Sequence, residues 1–117
     1  MVDKEILLVD DDSFAREPVQ IALVAKGYQV DTAADGEEAV ALLQKKNYDL
    51  VLSDIKMPNM DGLELLETVR QRCWDMPFIL ITAHGTIESA VRAMRQGAYD
   101  YLQKPVQLDE LEIRRFQ

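Results

Sequence analysis

Carboxylates recur at two places that lie far apart in the chain but in the same local setting. Asp10, Asp11 and Asp12 follow the apolar run Ile6-Leu7-Leu8-Val9, and Asp54 follows Leu50-Val51-Leu52-Ser53. Lys104-Pro105 closes a third segment of this kind. Each group stands at the end of a buried-strand pattern, and open parallel sheets bind their ligands beyond the carboxyl ends of the strands. Carboxylates that converge there repel one another unless a cation lies among them, and a few hard oxygen ligands suit Mg²⁺. The chemistry to expect is phosphoryl chemistry on an aspartate.

Asp54 is the candidate nucleophile. A carboxylate is a weak nucleophile, yet it accepts a phosphoryl group when donor and acceptor are held in line and the equatorial oxygens are neutralised. Asp11, with Asp10 acting through water, would hold Mg²⁺ beside Asp54, and the backbone carbonyl of Lys56 would complete the protein ligands. Asp12 points outward or assists a helix N-terminus. Thr82 ends an apolar strand pattern, where its hydroxyl can donate to a phosphoryl oxygen that arises on Asp54. Lys104 adds a point charge to the same oxygens. The following Pro105 holds it in an extended or turn conformation, with a cis bond as one option. Taken singly, these residues have plain structural readings as capping acids, a β-favouring threonine and a surface lysine. Their placement after separate apolar strands is what favours a shared site.

Pro58-Asn59-Met60-Asp61-Gly62 reads as a loop-shaping turn. His84, the only histidine, either faces the site entrance or is an exposed loop residue, and no second His or Cys completes a metal-ligand set with it. Lys56 and His84 flank the path of an attacking water, so the lifetime of a phosphoryl group is expected to depend on them.

The elements that must position these groups alternate without repeats or a linker. Strands are expected over 5–9, 28–33, 49–53, 77–82 and 98–102, and helices over 14–26, 36–46, 62–71 and 86–96. Apolar stripes give the helices core-facing sides: Ala39, Val40, Leu42 and Leu43; Leu63, Leu65, Leu66 and Val69; Ile87, Ala90, Val91 and Met94. The first, third and fourth strands are apolar nearly throughout, as central parallel strands are, whereas the second alternates and belongs nearer an edge. Ser13 can cap the first helix, and Gly27 and Gly97 suit left-handed helix ends. Pro18 falls beyond the first turn and predicts a kink or a shifted start. Residues 108–117 begin as a helix and then stop, so the last helix is expected to be truncated. The alternation defines an α/β fold with a parallel sheet.

A length of 117 residues accommodates one domain, 1–117. An apolar content of 48% with 29% charged residues describes a soluble globular chain. The formal net charge of -8 argues against direct contact with nucleic acid, which requires a basic face. Neither a signal-peptide pattern nor a membrane-length apolar run is present, and a single cysteine, Cys73, fits a reducing cytoplasm.

Asp10-Asp11, Asp54, Thr82 and Lys104-Pro105, in this order along nearly the whole chain, resemble the receiver domain of two-component response regulators. The resemblance implies a doubly wound five-stranded parallel sheet in the order 2-1-3-4-5. It also implies that Asp54 takes a phosphoryl group from a sensor histidine kinase or phosphotransfer protein with Mg²⁺, Asp10 and Asp11 assisting. Thr82 and Lys104 would bind the product, and Tyr101 would be the rotameric switch. The segments 53–58, 82–85 and 97–102 look most like receivers of the nitrogen-regulation type, which are joined to a sigma-54 activating ATPase and a DNA-binding domain. Homodimerisation on phosphorylation would fit that type. Two alternatives stay open on sequence: an aspartate-dependent phosphatase of the haloacid dehalogenase type, although Asp12-Ser13 departs from the Gly-Thr continuation of that motif, and a receiver-shaped binding module that is never phosphorylated.

Overall fold

The computed structural model describes residues 4–83 and 87–104. His84, Pro105 and the segment 108–117 therefore lie outside the described residues, and so do the expectations attached to them. The elements are β1 (Glu5–Val9), α1 (Ser13–Ala25), β2 (Gln29–Ala33), α2 (Gly36–Lys45), β3 (Leu50–Asp54), α3 (Gly62–Gln71), β4 (Phe78–Thr82), α4 (Ile87–Arg95) and β5 (Asp100–Gln103). The strands form one parallel sheet in the order β2-β1-β3-β4-β5, as expected.

Alternation along the strands splits the core in two. Leu7, Val9, Val51, Phe78 and Leu80 meet Ala39 and Leu43 of α2, four apolar residues of α3 and Ala93 of α4. Ile6, Leu8, Leu50, Leu52, Ile79 and Ile81 face the other way, against Leu23 of α1. The three central strands are buried on both faces, which accounts for their continuous apolar runs. Edge strand β2 carries polar residues, and one of them is used: Asp31 accepts from the Tyr48 hydroxyl at 2.6 Å and pairs with Lys46 at 2.9 Å.

Several local expectations need correction. The cap of α1 is Asp12, whose side chain accepts the Phe14 N–H at 2.9 Å, and Ser13 is the first helical residue. Pro18 lies inside α1 and the start is not displaced. The carbonyl it deprives of a helical partner belongs to Phe14, which is exposed and accessible to water. Strand β5 starts at Asp100 because Gly97 (φ 101°) ends α4, and the Ala98 N–H returns to the Ala93 carbonyl at 3.0 Å. Gly27 (φ 99°) closes α1 in the same way.

The larger correction concerns α4. Of its stripe of Ile87, Ala90, Val91 and Met94, the side chain of Ile87 lies outside the described residues and Ala90 is half-buried, but Val91 and Met94 are 43% and 49% exposed, while Ala93 is fully buried. Periodicity detects an apolar face but not the direction it points. Among the described side chains of α4, the buried one is small, so its apolar contribution is modest.

Candidate functional site

Strand β1 ends one residue before Asp10, and strand β3 ends on Asp54. The sheet extends past both, since the Asp10 N–H donates to the Ala33 carbonyl and the Ile55 N–H to the Ile81 carbonyl. These ladder bonds fix the two acids side by side at the carboxyl edge. Lys104, just beyond β5, is anchored by its own N–H on the Thr82 carbonyl at 2.9 Å.

Its ammonium donates to Asp10 Oδ2 at 3.1 Å and to Asp54 Oδ2 at 3.2 Å. The three side chains are only 25%, 8% and 12% exposed respectively, so the bridge operates largely out of water. Asp54 Oδ1 accepts the Ile55 N–H at 2.8 Å, and Asp10 Oδ1 accepts the Asp12 N–H at 3.0 Å. Burial, then the charge of Asp10, raise the Asp54 pKa above its ordinary value against the opposing pull of Lys104 and the Ile55 N–H. Burial disfavours the charge of Lys104, but its bonds to Asp10 and Asp54 outweigh this and raise its pKa.

Carboxylate oxygens of Asp10, Asp11 and Asp54 lie within 4.8 Å of one another. Three anionic oxygens against one ammonium leave the cluster short of positive charge, and an all-oxygen donor set of this size fits Mg²⁺. Asp11 is exposed, as a ligand on the solvent side would be, whereas both oxygens of Asp10 already accept hydrogen bonds. Lys56 lies in the exposed loop after Asp54. The loop is held by Asn59, at φ 67°, whose side chain donates to Asp35 at 3.1 Å, and by the capping box of Asp61 and Glu64.

Thr82 is buried at the end of β4, one residue past Ile81, the strand partner of Asp54. Tyr101 pairs with Leu80, so Thr82 and Tyr101 share the sheet face that carries α3 and α4. The expected residues therefore gather in two layers, with the acids and Lys104 at the edge and Tyr101 behind Thr82 toward α4. Sequence reasoning missed Arg16, which donates to the Asp10 backbone carbonyl at 2.6 Å and lines the same cavity as Asp10, Asp54 and Lys104. Its place one turn into the helix capped by Asp12 was the available signal.

An open parallel sheet with its order reversing beside β1, and acids gathered beyond that reversal, defines a doubly wound α/β domain of the flavodoxin-like class. Within that class the chain belongs to the response regulator receiver domain family, whose model matches residues 6–114. It is 46% identical over 105 residues to the DNA-binding transcriptional regulator NtrC of Salmonella typhimurium, a match covering 90% of this chain and 22% of that protein. It is also 43% identical over 101 residues to the response regulator protein FleR of Pseudomonas aeruginosa, covering 86% of this chain and 21% of that protein. The chain thus spans about a fifth of the length of these relatives.

Among solved structures, the Francisella response regulator 1452 receiver domain superposes with a TM-score of 0.90 at 33% identity, over 97% of this chain and 93% of that one. Vibrio cholerae CheY4 superposes with a TM-score of 0.88 at 34% identity, over 96% and 95%. Among the described residues no helix is long and apolar enough to cross a membrane.

Proposed function

We propose that residues 1–117 form one receiver domain that works as a phosphorylation-driven switch, with Asp54 as the phosphoacceptor. The observation that carries this reading is the Lys104 ammonium bridging Asp54 and Asp10 beside Asp11 at the carboxyl edge. A carboxylate oxygen of Asp54 attacks the phosphorus of a phosphohistidine. The new O–P bond forms as the P–N bond breaks, and the imidazole leaves. Lys104 swings from paired carboxylates to the phosphoryl oxygens, and Thr82 donates its hydroxyl to another of them. Asp10, Asp11, Asp54 and the Lys56 carbonyl would hold Mg²⁺, which supplies charge neutralisation to the phosphoryl group.

The new dianion exists only after modification, so Thr82 and Lys104 meet a different charge in the two states. Tyr101, on the same face as Thr82, is the proposed rotameric switch that carries this difference to α4 and β5. The donor is a sensor histidine kinase or phosphotransfer protein. The output lies outside this chain, in a sigma-54 activating ATPase and a DNA-binding domain, in keeping with a relative named as a DNA-binding transcriptional regulator. Homodimerisation on phosphorylation through the α4–β5 side would fit the exposed apolar stripe of α4.

Incubation with acetyl phosphate and Mg²⁺ followed by intact-mass spectrometry should show one phosphoryl group per chain. The adduct should be absent from an Asp54→Ala variant and without Mg²⁺. An adduct that survives Asp54→Ala would place the acceptor elsewhere, and no adduct, together with no binding of beryllofluoride, would leave a binding module that is never phosphorylated.

The metal has a separate readout. At a hundredfold excess over its Kd, Mg²⁺ should stabilise the fold by about 2.7 kcal/mol. An Asp11→Asn variant should lose most of that gain in thermal unfolding, while Asp12→Asn should keep it. Equal gains in the two variants would remove Asp11 from the ligand set.

A further inference from the structure

Helix α4 is held at its two ends by quite different means. At its C-terminal end the Gly97 carbonyl accepts from Arg70 Nε at 3.2 Å and from a terminal guanidinium nitrogen at 2.9 Å. The same guanidinium donates to the Trp74 carbonyl at 2.7 Å and the Met76 carbonyl at 3.1 Å, so this end is clamped to α3 and to the chain leading into β4. Toward its N-terminal end α4 meets β5 through a neutral hydroxyl pair, Ser89 Oγ and the Tyr101 hydroxyl, 2.7 Å apart. Among the described apolar side chains between these ends, Ala93 is buried and Ala90 half-buried, while Val91 and Met94 are exposed. Among the described contacts, the helix is thus clamped through several charged hydrogen bonds at Gly97 and joined to β5 through a neutral one at Ser89.

We infer that Ser89 is a positioning residue. Its hydroxyl latches Tyr101 against α4 in the unmodified domain and sets how readily the domain adopts its phosphoryl-bound state. The inference rests on the switch reading above and adds a specific residue to it. Tyr101 cannot follow Thr82 without giving up this bond, so the latch weights the equilibrium toward the resting arrangement. A ligand that favours the other arrangement binds with an apparent affinity reduced by the small fraction of competent molecules. Removing the latch should raise that fraction.

The probe is beryllofluoride with Mg²⁺, titrated calorimetrically into the 117-residue chain. Ser89→Ala should bind it about fivefold more tightly than the wild type, the worth of one neutral hydrogen bond. Tyr101→Phe, which loses the same bond from the other side, should show a similar gain. The double variant should gain no more than either single one, whereas two independent structural effects would add. Ser89→Thr, which keeps a hydroxyl, should return to near the wild-type affinity.

Unchanged or weaker binding in Ser89→Ala, or additive gains in the double variant, would overturn the latch while leaving the switch reading in place. Failure of the wild type itself to bind beryllofluoride would instead overturn the switch reading, and the latch with it.

Discussion

Asp54→Asn is expected to abolish phosphoryl incorporation and at the same time to make the metal-free domain more stable at neutral pH. The first effect follows because an amide oxygen cannot serve as the nucleophile. The second follows from the electrostatics of the edge. Asp54 is largely buried, stands near Asp10 and shares a single ammonium with it. Its raised pKa means that the fold holds the ionised form at a cost which the unfolded chain does not bear.

The direction with pH is fixed by that shift. Below the unfolded value near 3.8 the carboxyl is protonated in both states and the wild type bears no penalty. As pH rises from there through the higher folded value, the folded state holds more protons than the unfolded one, so stability falls. Above both values the penalty is complete. Asn does not titrate, so the gap between the variant and the wild type should be negligible in acid and open to about 1 kcal/mol, or roughly 4 °C in Tm, at neutral pH. Thermal unfolding in EDTA across that range tests this. A variant less stable than the wild type at pH 7 would mean that the Lys104 bridge outweighs the burial and repulsion of Asp54. Saturating Mg²⁺ should narrow the gap by supplying the missing positive charge to the wild type alone.

The positions of the acids were legible in the sequence because each follows a strand buried on both faces, and such strands are continuous apolar runs. The same runs carried the strand order through the family resemblance. Direction was not legible where an amphipathic pattern has two possible readings. Ala90, Val91 and Met94 have the spacing of a core stripe, yet Ala93 faces the sheet, because the Gly97 cap and the Arg70 clamp set the rotation of α4. The α1 cap shows the same limit on a smaller scale. Asp12 and Ser13 are both good capping residues, and the choice between them is made by Asp10, whose side chain takes the Asp12 N–H and turns the chain one residue early.

Arg16 and Ser89 escaped sequence reasoning for a different reason. Arg16 acts on a backbone carbonyl, an acceptor that any residue type supplies. Ser89 meets Tyr101 across two elements brought together only by the fold. Ser89's contact leaves no spacing rule in the chain, and Arg16 is signalled only by its place one turn past the Asp12 cap.

Gly62→Ala is expected to be the most damaging substitution away from the charged groups. Gly62 opens α3 directly after the Asp61 cap, and its N–H donates to the Ile55 carbonyl at 2.8 Å. A methyl group there would collide with the Asp54 carbonyl oxygen and would stand 2.9 Å from both Ile55 Cα and Leu80 Cδ2. Two of these three obstacles are backbone atoms of the segment that presents Asp54, so a rotamer change offers no relief. Either the start of α3 or the end of β3 must move. Such overpacking costs about 3 kcal/mol, roughly 10 °C in Tm for a domain of this size. Because the part displaced carries Asp54, phosphorylation by acetyl phosphate should slow markedly even in the molecules that remain folded.

Gly27→Ala provides the comparison. No atom lies within 4 Å of a methyl group at Gly27, but φ is +99°, so the cost is backbone strain of about 1 kcal/mol at a helix end remote from the acids. That variant should unfold a few degrees early and phosphorylate at the wild-type rate. If the two alanine variants matched in both Tm and rate, close contact between α3 and the Asp54 backbone could not be what holds the acceptor in place.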